Sequence, residues 1–249
     1  MTALSVNLNK VATLRNTRML SIPSVTKAAL ICIKAGANGI TVHPRPDERH
    51  IRANDVRELS EIVKSAKHVE FNIEGNPFHN LMPFVREIKP DQVTFVPDSQ
   101  GQLTSDHGWR FPQDLERLRP LVQEALSLGV RVSLFMDAAP DQMHFVKELG
   151  AQRVELYTEP YAAAFLTPKR QSVLQSFITT GDKASEIGLG LNAGHDLNQA
   201  NLTPLLRAIP QIEEVSIGHA LIADALEIGY EGAVKAYLSC IQAARGGVN

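Results

Sequence analysis

The segment Gly39–Val56, with the sequence GITVHPRPDERHIRANDV, concentrates side chains that could do chemistry. Its cationic or imidazole residues are His43, Arg45, Arg49, His50 and Arg52. Pro44 and Pro46 fix φ and stiffen the segment, so its cations lose less entropy when a phosphate or carboxylate binds. The alternative is a charged surface loop whose own acidic residues pair with the arginines. Because His43 stands at the carboxyl end of a short apolar strand, the sequence favours an anion site.

Composition and charge limit which domain organisation, binding partners and location the sequence can be expected to have. The chain has 249 residues, 44% of them hydrophobic, and a formal net charge of -2, which suits one large domain or two small ones. No linker divides the sequence, so we expect a single domain over residues 1–249. Its basic residues are dispersed and show no zinc-finger spacing, so we expect a small-molecule partner and no nucleic acid. No apolar run approaches the roughly 18 to 20 residues of a membrane span, and we expect a cytoplasmic protein without membrane association. Cys32 and Cys240 lie in apolar helical patterns and are expected to be reduced thiols.

The rest of the chain alternates between short β-branched runs and helical patterns. The predicted strands are Leu4–Asn9, Gly39–His43, Val69–Glu74, Gln92–Pro97, Arg131–Asp137, Arg153–Thr158, Gly188–Asn192 and Glu213–Gly218. The predicted helices are Ser24–Ala35, Ala53–Ala66, Asn80–Lys89, Pro112–Leu128, Pro140–Leu149, Lys169–Ile187, Leu202–Ile209 and Ala220–Ala244. Eight strand–helix repeats predict an α/β fold, a (β/α)8 TIM barrel with extra helical segments, ahead of a doubly wound open sheet.

Capping residues support several of these boundaries. Ser24, Asn54 and Asp141 are placed to cap helix N-termini. Gly36, Gly129 and Gly150 follow the ends of predicted helices, where a left-handed residue commonly stops the helix.

The strands carry polar side chains at every second position. In the second strand Ile40 and Val42 alternate with Thr41 and His43, and in the third Glu74 lies on the polar face. The apolar set must face the helices, so the polar set points into the barrel. Buried polar groups must satisfy one another, water or a ligand. Polar residues clustered at the carboxyl ends of barrel strands indicate an active site.

Two glycine-containing motifs fit that site. The sequence NAGH, residues 192–195, closes the seventh strand, and IGHALI, residues 217–222, closes the eighth and opens the last helix. Loops after these strands form the common phosphate cradle of the barrel fold. We therefore expect one anion site at Arg45 and His50 and a second at Gly218 and His219. Two phosphorylated substrates would explain both.

These motifs resemble the pyridoxine 5'-phosphate synthase family over nearly the whole chain. The segments that carry the resemblance are NLNKVATLRNTR, AGANGITVHPRPDERHI, FNIEG, VTFVPD, VSLFMDA, VELYTEPYA, LNAGH and IGHALI. The resemblance implies condensation of 1-deoxy-D-xylulose 5-phosphate with 3-amino-2-oxopropyl phosphate to pyridoxine 5'-phosphate, with release of phosphate and water. It also implies no metal or organic cofactor, and a homo-oligomer, in this family an octamer.

The resemblance assigns roles to individual residues. His43 and Glu74 match the proton-transfer residues, His195 matches the general acid, and Glu155 matches a carboxylate that stabilises charged intermediates. The residues matching ligands of the xylulose phosphate are Arg45, His50, Thr104, Asn9 and Lys10. The residues matching ligands of the aminoketone phosphate are Asn7, Arg18, Asp196, Gly218 and His219.

The chain departs from the family pattern at a few positions. Met19 and Asp196 stand where relatives have glycine, which takes positive φ freely. We expect the Asp196 carboxylate to turn outward and cap the amides of residues 197–199. The polar loop Pro97–Gly108 is expected to form a mobile lid with Thr104 reaching the substrate.

The departures leave alternatives open. The first is an active synthase, and the second is a degraded barrel that binds phosphorylated metabolites. A metal-dependent aldolase is a third, disfavoured because the histidines lie on different strands.

Overall fold

The computed structural model describes residues 2–246 and shows a closed barrel of parallel strands. The strands are β1 Ala3–Asn7, β2 Gly39–Val42, β3 Glu70–Gly75, β4 Gln92–Phe95, β5 Arg131–Met136, β6 Arg153–Tyr157, β7 Gly190–Gly194 and β8 Ile212–Ile217. Each pairs with the next in parallel, and β8 pairs with β1. The predicted TIM barrel is confirmed, with strand ends shifted by one or two residues.

Helices cover the outside of the barrel. They are α1 Asn9–Asn16, α2 Val25–Lys34, α3 Ala53–Ser65, α4 Leu81–Ile88, α5 Leu115–Ser127, α6 Met143–Leu149, α7 Glu159–Ala164, α8 Arg170–Glu186, α9 Gln199–Ala208 and α10 His219–Arg245. Helix α10 is broken at Gly229, where φ is 73°. A 3₁₀ turn, Pro140–Gln142, leads into α6. The sequence did not predict α1 and α7, two short helices that follow β1 and β6 almost directly.

The predicted caps hold in part. Ser24 caps α2, because its hydroxyl accepts a hydrogen bond from the backbone N–H of Lys27 at 3.1 Å. Asn54 is not the cap of α3, since the helix begins after Arg52 and Asp55 accepts from the Arg52 N–H at 2.8 Å. Asp141 lies inside the 3₁₀ turn and makes no cap bond. The three helix-ending glycines have positive φ, namely 109° at Gly36, 80° at Gly129 and 87° at Gly150.

The barrel interior is polar, as the alternation predicts. Ser5 and Thr41 share a hydrogen bond of 2.7 Å between their hydroxyls, and Thr94 donates to the Asn72 Oδ1 at 3.1 Å. Ile40 and its neighbours on the other face are fully buried among the helices. The hydrophobic core therefore lies between strands and helices, and the inner face is left to groups that bond one another.

Two simpler expectations concern cysteines and membranes. Cys32 and Cys240 are both free thiols, although Cys240 is only partly buried. Among residues 2–246, none of the helices combines the length and apolar character needed to cross a bilayer.

Candidate active site

A cavity of about 550 Å³ opens at the carboxyl ends of the strands. It brings together nearly all residues singled out from the sequence: Asn7, Asn9, Lys10, His43, Arg45, His50, Glu74, Thr104, Glu155, His195, Asp196, Gly218 and His219. Arg18 is the exception, since it lies in the exposed turn after α1 and is not part of the lining.

Glu74 lies near the carboxyl end of β3 and is almost fully buried. Its Oε2 accepts a hydrogen bond from the Asn7 amide at 3.4 Å. Burial raises the pKa of Glu74 well above its ordinary value, and the carboxylates of Glu155, Glu214 and Asp98 raise it further. A carboxyl group with a raised pKa is a stronger base than an ordinary carboxylate, which suits proton transfer.

Glu155 points inward from β6 and forms a second acidic group in the cavity. Burial, followed by the charge of Glu214, raises its pKa to about 8. Its Oε2 has no hydrogen-bond partner within residues 2–246. Gly194 of β7 packs directly against this carboxyl, because a Cβ there would collide with Glu155 Oε1. The glycine of NAGH therefore makes room for the acid.

Glu214 lies beside Glu155 inside the barrel. The strand register places Glu155 level with Asn192, and Asn192 level with Glu214. Burial raises the pKa of Glu214 to about 7, although the guanidinium of Arg153, 3.8 Å from its Oε2, opposes the shift. The charge of Glu214 thus helps to keep the neighbouring Glu155 in a protonatable state.

His43 follows β2 and is held by its backbone, because its N–H donates to Asn9 Oδ1 at 2.9 Å. Burial and the charges of Arg45, His50 and Arg49 lower the pKa of His43 well below its ordinary value. A neutral imidazole at this place can accept a proton or relay one.

His50 also stays neutral. Burial and the charges of Arg45, Lys10 and Arg49 lower its pKa to about 4. Its Nδ1 accepts from the backbone N–H of Ile51 at 2.9 Å, so the ring proton lies on Nε2 and is available to an anion.

The loop of residues 97–108 covers the mouth of the cavity, where Leu103, Thr104 and Ser105 join the lining. Thr104 Oγ1 lies 2.9 Å from His195 Nε2. Arg45 and Arg49 donate to the Gln102 carbonyl at 3.0 and 2.9 Å. The loop therefore reaches from the β2–α3 loop to the end of β7; its mobility stays a prediction.

His195 and Asp196 form a turn that differs from our expectation. The Asp196 carboxylate does not cap the amides of residues 197–199; its Oδ2 lies 2.6 Å from His195 Nδ1. The N-cap of α9 is instead Asn198, whose side chain accepts from the N–H groups of Ala200 and Asn201. The contact with His195 is preferred over the backbone amides because the ring nitrogen of the neighbouring residue offers a charge-assisted hydrogen bond.

The backbone at this turn is left-handed, with φ of 83° at His195 and 58° at Asp196. Thr158 fixes it, because its buried hydroxyl donates to the carbonyls of Gly194 at 2.8 Å and His195 at 2.5 Å. Met19, which also stands where relatives have glycine, needs no such support, because it is 99% exposed and its φ is not positive.

The second expected anion site lies at the start of α10. Gly218 is the N-cap, and the first helical amides follow it toward the cavity. A Cβ at Gly218 would meet the Asn7 side chain at 3.1 Å, so glycine lets β1 and β8 approach. The helix N-terminus and His219 provide donors for an anion.

One wall of the cavity is apolar. Val96 and Phe135 line it, and Tyr157 packs behind Phe135 with ring centroids 5.4 Å apart. The rings of Tyr157 and His195 also pack in a T-shaped arrangement, with centroids 5.1 Å apart. This wall excludes water from one side of the acid–base groups.

Sequence reasoning missed several residues that support the site. Thr158 and Asp98 are buried and act through contacts that join separate loops, which sequence spacing does not reveal. The only signal was their position as the first polar residues after β6 and β4.

Within the described part of the chain, no group of three or more His, Cys, Asp or Glu residues could hold a metal ion.

Comparison with solved structures shows the fold. Tryptophan synthase from M. tuberculosis aligns over 97% of this chain and 93% of its own, with a TM-score of 0.65 and 12% identity. KGPDC from Streptococcus mutans aligns over 99% of this chain and 100% of its own, with a TM-score of 0.63 and 10% identity. At such low identity these likenesses concern the barrel alone.

Comparison of sequences is more specific. The chain is 60% identical over 249 residues to pyridoxine 5'-phosphate synthase of Albidiferax ferrireducens, covering 98% of this chain and 99% of that protein. It is 51% identical over 253 residues to the protein of that name from Xanthomonas oryzae pv. oryzae, covering 99% of each. Residues 4–243 match the family described as pyridoxal phosphate biosynthesis protein PdxJ. With the barrel and its cavity residues in place, the chain belongs to the PdxJ family.

Proposed function

We propose that this protein is a pyridoxine 5'-phosphate synthase. It would condense 1-deoxy-D-xylulose 5-phosphate with 3-amino-2-oxopropyl phosphate and release phosphate and water. The observation that carries the proposal is one cavity lined by His43, Glu74, Glu155 and His195, with cationic groups or helix amides at two places on its rim.

The two rim sites suit two phosphorylated substrates. Arg45, Lys10 and the Nε2–H of His50 would hold the phosphate of deoxyxylulose phosphate, assisted by Asn9 and Thr104. The amides that follow Gly218 would hold the aminoketone phosphate, together with Asn7 and His219. Arg18 remains a proposed ligand without a contact to the cavity.

Glu74 acts as the principal base in this proposal. Imine formation, dehydration and ring closure all move protons near neutral pH, and a carboxyl with a raised pKa suits that task. His43, whose imidazole is kept neutral, relays the proton. Glu155 in its ionised form stabilises positively charged intermediates across the cavity.

His195 acts as the general acid. Asp196 accepts from its Nδ1 and thereby leaves Nε2 facing Thr104 and the cavity. The Asp196 carboxylate stabilises the protonated ring, which can then donate a proton to a departing oxygen.

A second candidate is a barrel that binds the same metabolites without turnover. The observation that favours it is the Asp196 carboxylate in the cavity lining, where it would repel a phosphate. The hydrogen bond between this carboxylate and His195 favours turnover, because a positive charge on the His195 ring would offset the carboxylate charge and reduce that repulsion. Incubation of purified protein with both substrates, followed by mass spectrometry, separates the two. Pyridoxine 5'-phosphate supports the synthase, and substrate binding without product supports the binding protein.

We further propose that the protein forms one domain, works in the cytoplasm, and assembles into a homo-oligomer, in the family manner an octamer. Exposed apolar side chains support assembly: Met19 is 99% exposed, Ile22 68% and Leu226 74%. Sedimentation equilibrium gives the mass, and a monomer at all concentrations would contradict the assembly.

A further inference from the structure

Asp98 is the second residue of the predicted lid. Its carboxylate lies within 3.9 Å of Arg45, Ser105 and His43, although the proposed reaction gives it no role. Its side chain is 4% exposed and lies behind the cavity wall. Oδ2 accepts from Arg45 Nη2 and from the Ser105 hydroxyl, the latter at 2.9 Å. His43 Nε2 is 3.9 Å from the same oxygen.

A carboxylate at this place is costly for the fold. Its Oδ1 has no hydrogen-bond partner among residues 2–246. Burial raises the pKa of Asp98, while Arg45 and Ser105 oppose that effect. Buried ion pairs contribute little net stability because desolvation offsets their attraction. Stability is therefore a poor reason for this carboxylate, and its contacts offer a better one.

The first contact sets the orientation of Arg45. The guanidinium donates through Nη2 to Asp98 and through Nη1 to the Gln102 carbonyl at 3.0 Å. These partners fix its plane, and its further N–H groups stay available on the side that lines the cavity. Both partners come from the segment after β4, so Arg45 takes its orientation from the lid segment.

The second contact fixes the lid. Ser105 binds the oxygen that holds Arg45, and its neighbour Thr104 contacts His195 Nε2 at 2.9 Å. The lid is thus held on one side by Asp98 and on the other by the proposed general acid.

We propose that Asp98 is a positioning residue that holds Arg45 ready for the phosphate of deoxyxylulose phosphate and ties that arginine to Ser105, so that the lid and the phosphate site close as one unit. The substrate assignment rests on the proposed function, whereas the coupling between Arg45 and the lid does not. The opposite role for Asp98 is a competing anion that occupies Arg45 until the phosphate displaces it.

The ligand-free protein tests the coupling. We would measure hydrogen exchange of the lid amides, residues 99–107, in the wild type, Asp98→Asn and Ser105→Ala. Both variants should exchange about tenfold faster or more, because each loses a charge-assisted bond of the lid. Leu103→Ala is the matched control: it truncates an apolar side chain of the same loop that is 88% exposed and leaves the loop's hydrogen bonds in place, and its lid exchange should stay within about twofold of the wild type. Circular dichroism at matched pH verifies the fold of each variant.

Steady-state kinetics separate positioning from competition. Positioning predicts that Asp98→Asn raises KM for 1-deoxy-D-xylulose 5-phosphate about tenfold, with KM for 3-amino-2-oxopropyl phosphate within about twofold of the wild type. Competition predicts a lower KM for the first substrate, since a negative charge leaves the site. A lower or unchanged KM with wild-type lid exchange overturns the inference. A wild-type enzyme without turnover would refute the proposed function but leave the exchange result to decide the coupling.

Discussion

Glu214 offers a test of the polar barrel interior. This residue of β8 is 4% exposed, and burial raises its pKa from an ordinary value of 4.5 to about 7. Replacement by glutamine keeps the shape and removes the charge. The neighbouring Arg153 would not be left unpaired, because it also donates to Asn192 at 3.0 Å and to Glu213 at 2.7 Å.

The raised pKa fixes the sign and size of the effect. Below about pH 4.5 Glu214 is protonated in both the folded and unfolded chain, and its contribution is fully present. As the pH rises to about 7 the unfolded chain ionises first, so the folded state loses stability until both forms are charged. At about 1.4 kcal/mol per pKa unit, the loss above pH 7 is about 3 kcal/mol. Glu214→Gln should recover about 1 to 3 kcal/mol at pH 8 and less than about 1 kcal/mol at pH 5, because an amide also costs free energy to bury.

Urea unfolding followed by circular dichroism measures this difference at the two pH values, at one protein concentration. Glu213→Gln is the matched control, since its half-exposed carboxylate pairs with the same Arg153 and should change stability by less than about 1 kcal/mol. Destabilisation by Glu214→Gln at pH 8, or an equal effect at both pH values, would show that the buried Glu214 charge does not destabilise the fold. In the active enzyme the substitution should also move the acidic limb of turnover to lower pH, because the Glu214 charge helps to raise the pKa of Glu155.

Further predictions concern the acid–base groups. Glu74→Gln should keep the fold and lower kcat by about two to four orders of magnitude, the usual value of general acid–base catalysis, and near-normal turnover would leave Glu74 without that role. Asp196→Asn should lower kcat about tenfold while KM for the aminoketone phosphate changes less than about threefold; a tenfold tighter KM would mean that the carboxylate faces the phosphate. Thr158→Val should cost about 1 to 3 kcal/mol in urea unfolding, because the His195 carbonyl loses its donor and the Gly194 carbonyl keeps only the backbone N–H of Thr158 at 2.9 Å; an unchanged midpoint would show that the hydroxyl does not hold the turn.

The barrel and most of its cavity could be predicted because their signals are local and repeated. Alternation in each strand separated inward polar groups from outward apolar ones, and closure of eight units placed the strand ends together. The short helices α1 and α7 escaped prediction because eight and six residues hold too few turns for a periodic pattern.

The contacts between loops could not be predicted. The bond of Asp196 to His195 depends on two successive left-handed residues that Thr158 holds in place. The position of Asp98 behind Arg45 depends on how the lid folds back over the barrel. Neither pairing is marked by a recognisable pattern of residues in the sequence, so each became visible only in the folded chain.

In the proposed reaction, one cavity joins two phosphorylated substrates by proton transfer. The most direct test is the stoichiometry of the reaction, measured as inorganic phosphate and pyridoxine 5'-phosphate formed by purified wild-type protein. We expect equimolar release of both products only when 1-deoxy-D-xylulose 5-phosphate and 3-amino-2-oxopropyl phosphate are present together. Saturable binding of both substrates without formation of pyridoxine 5'-phosphate would contradict this expectation.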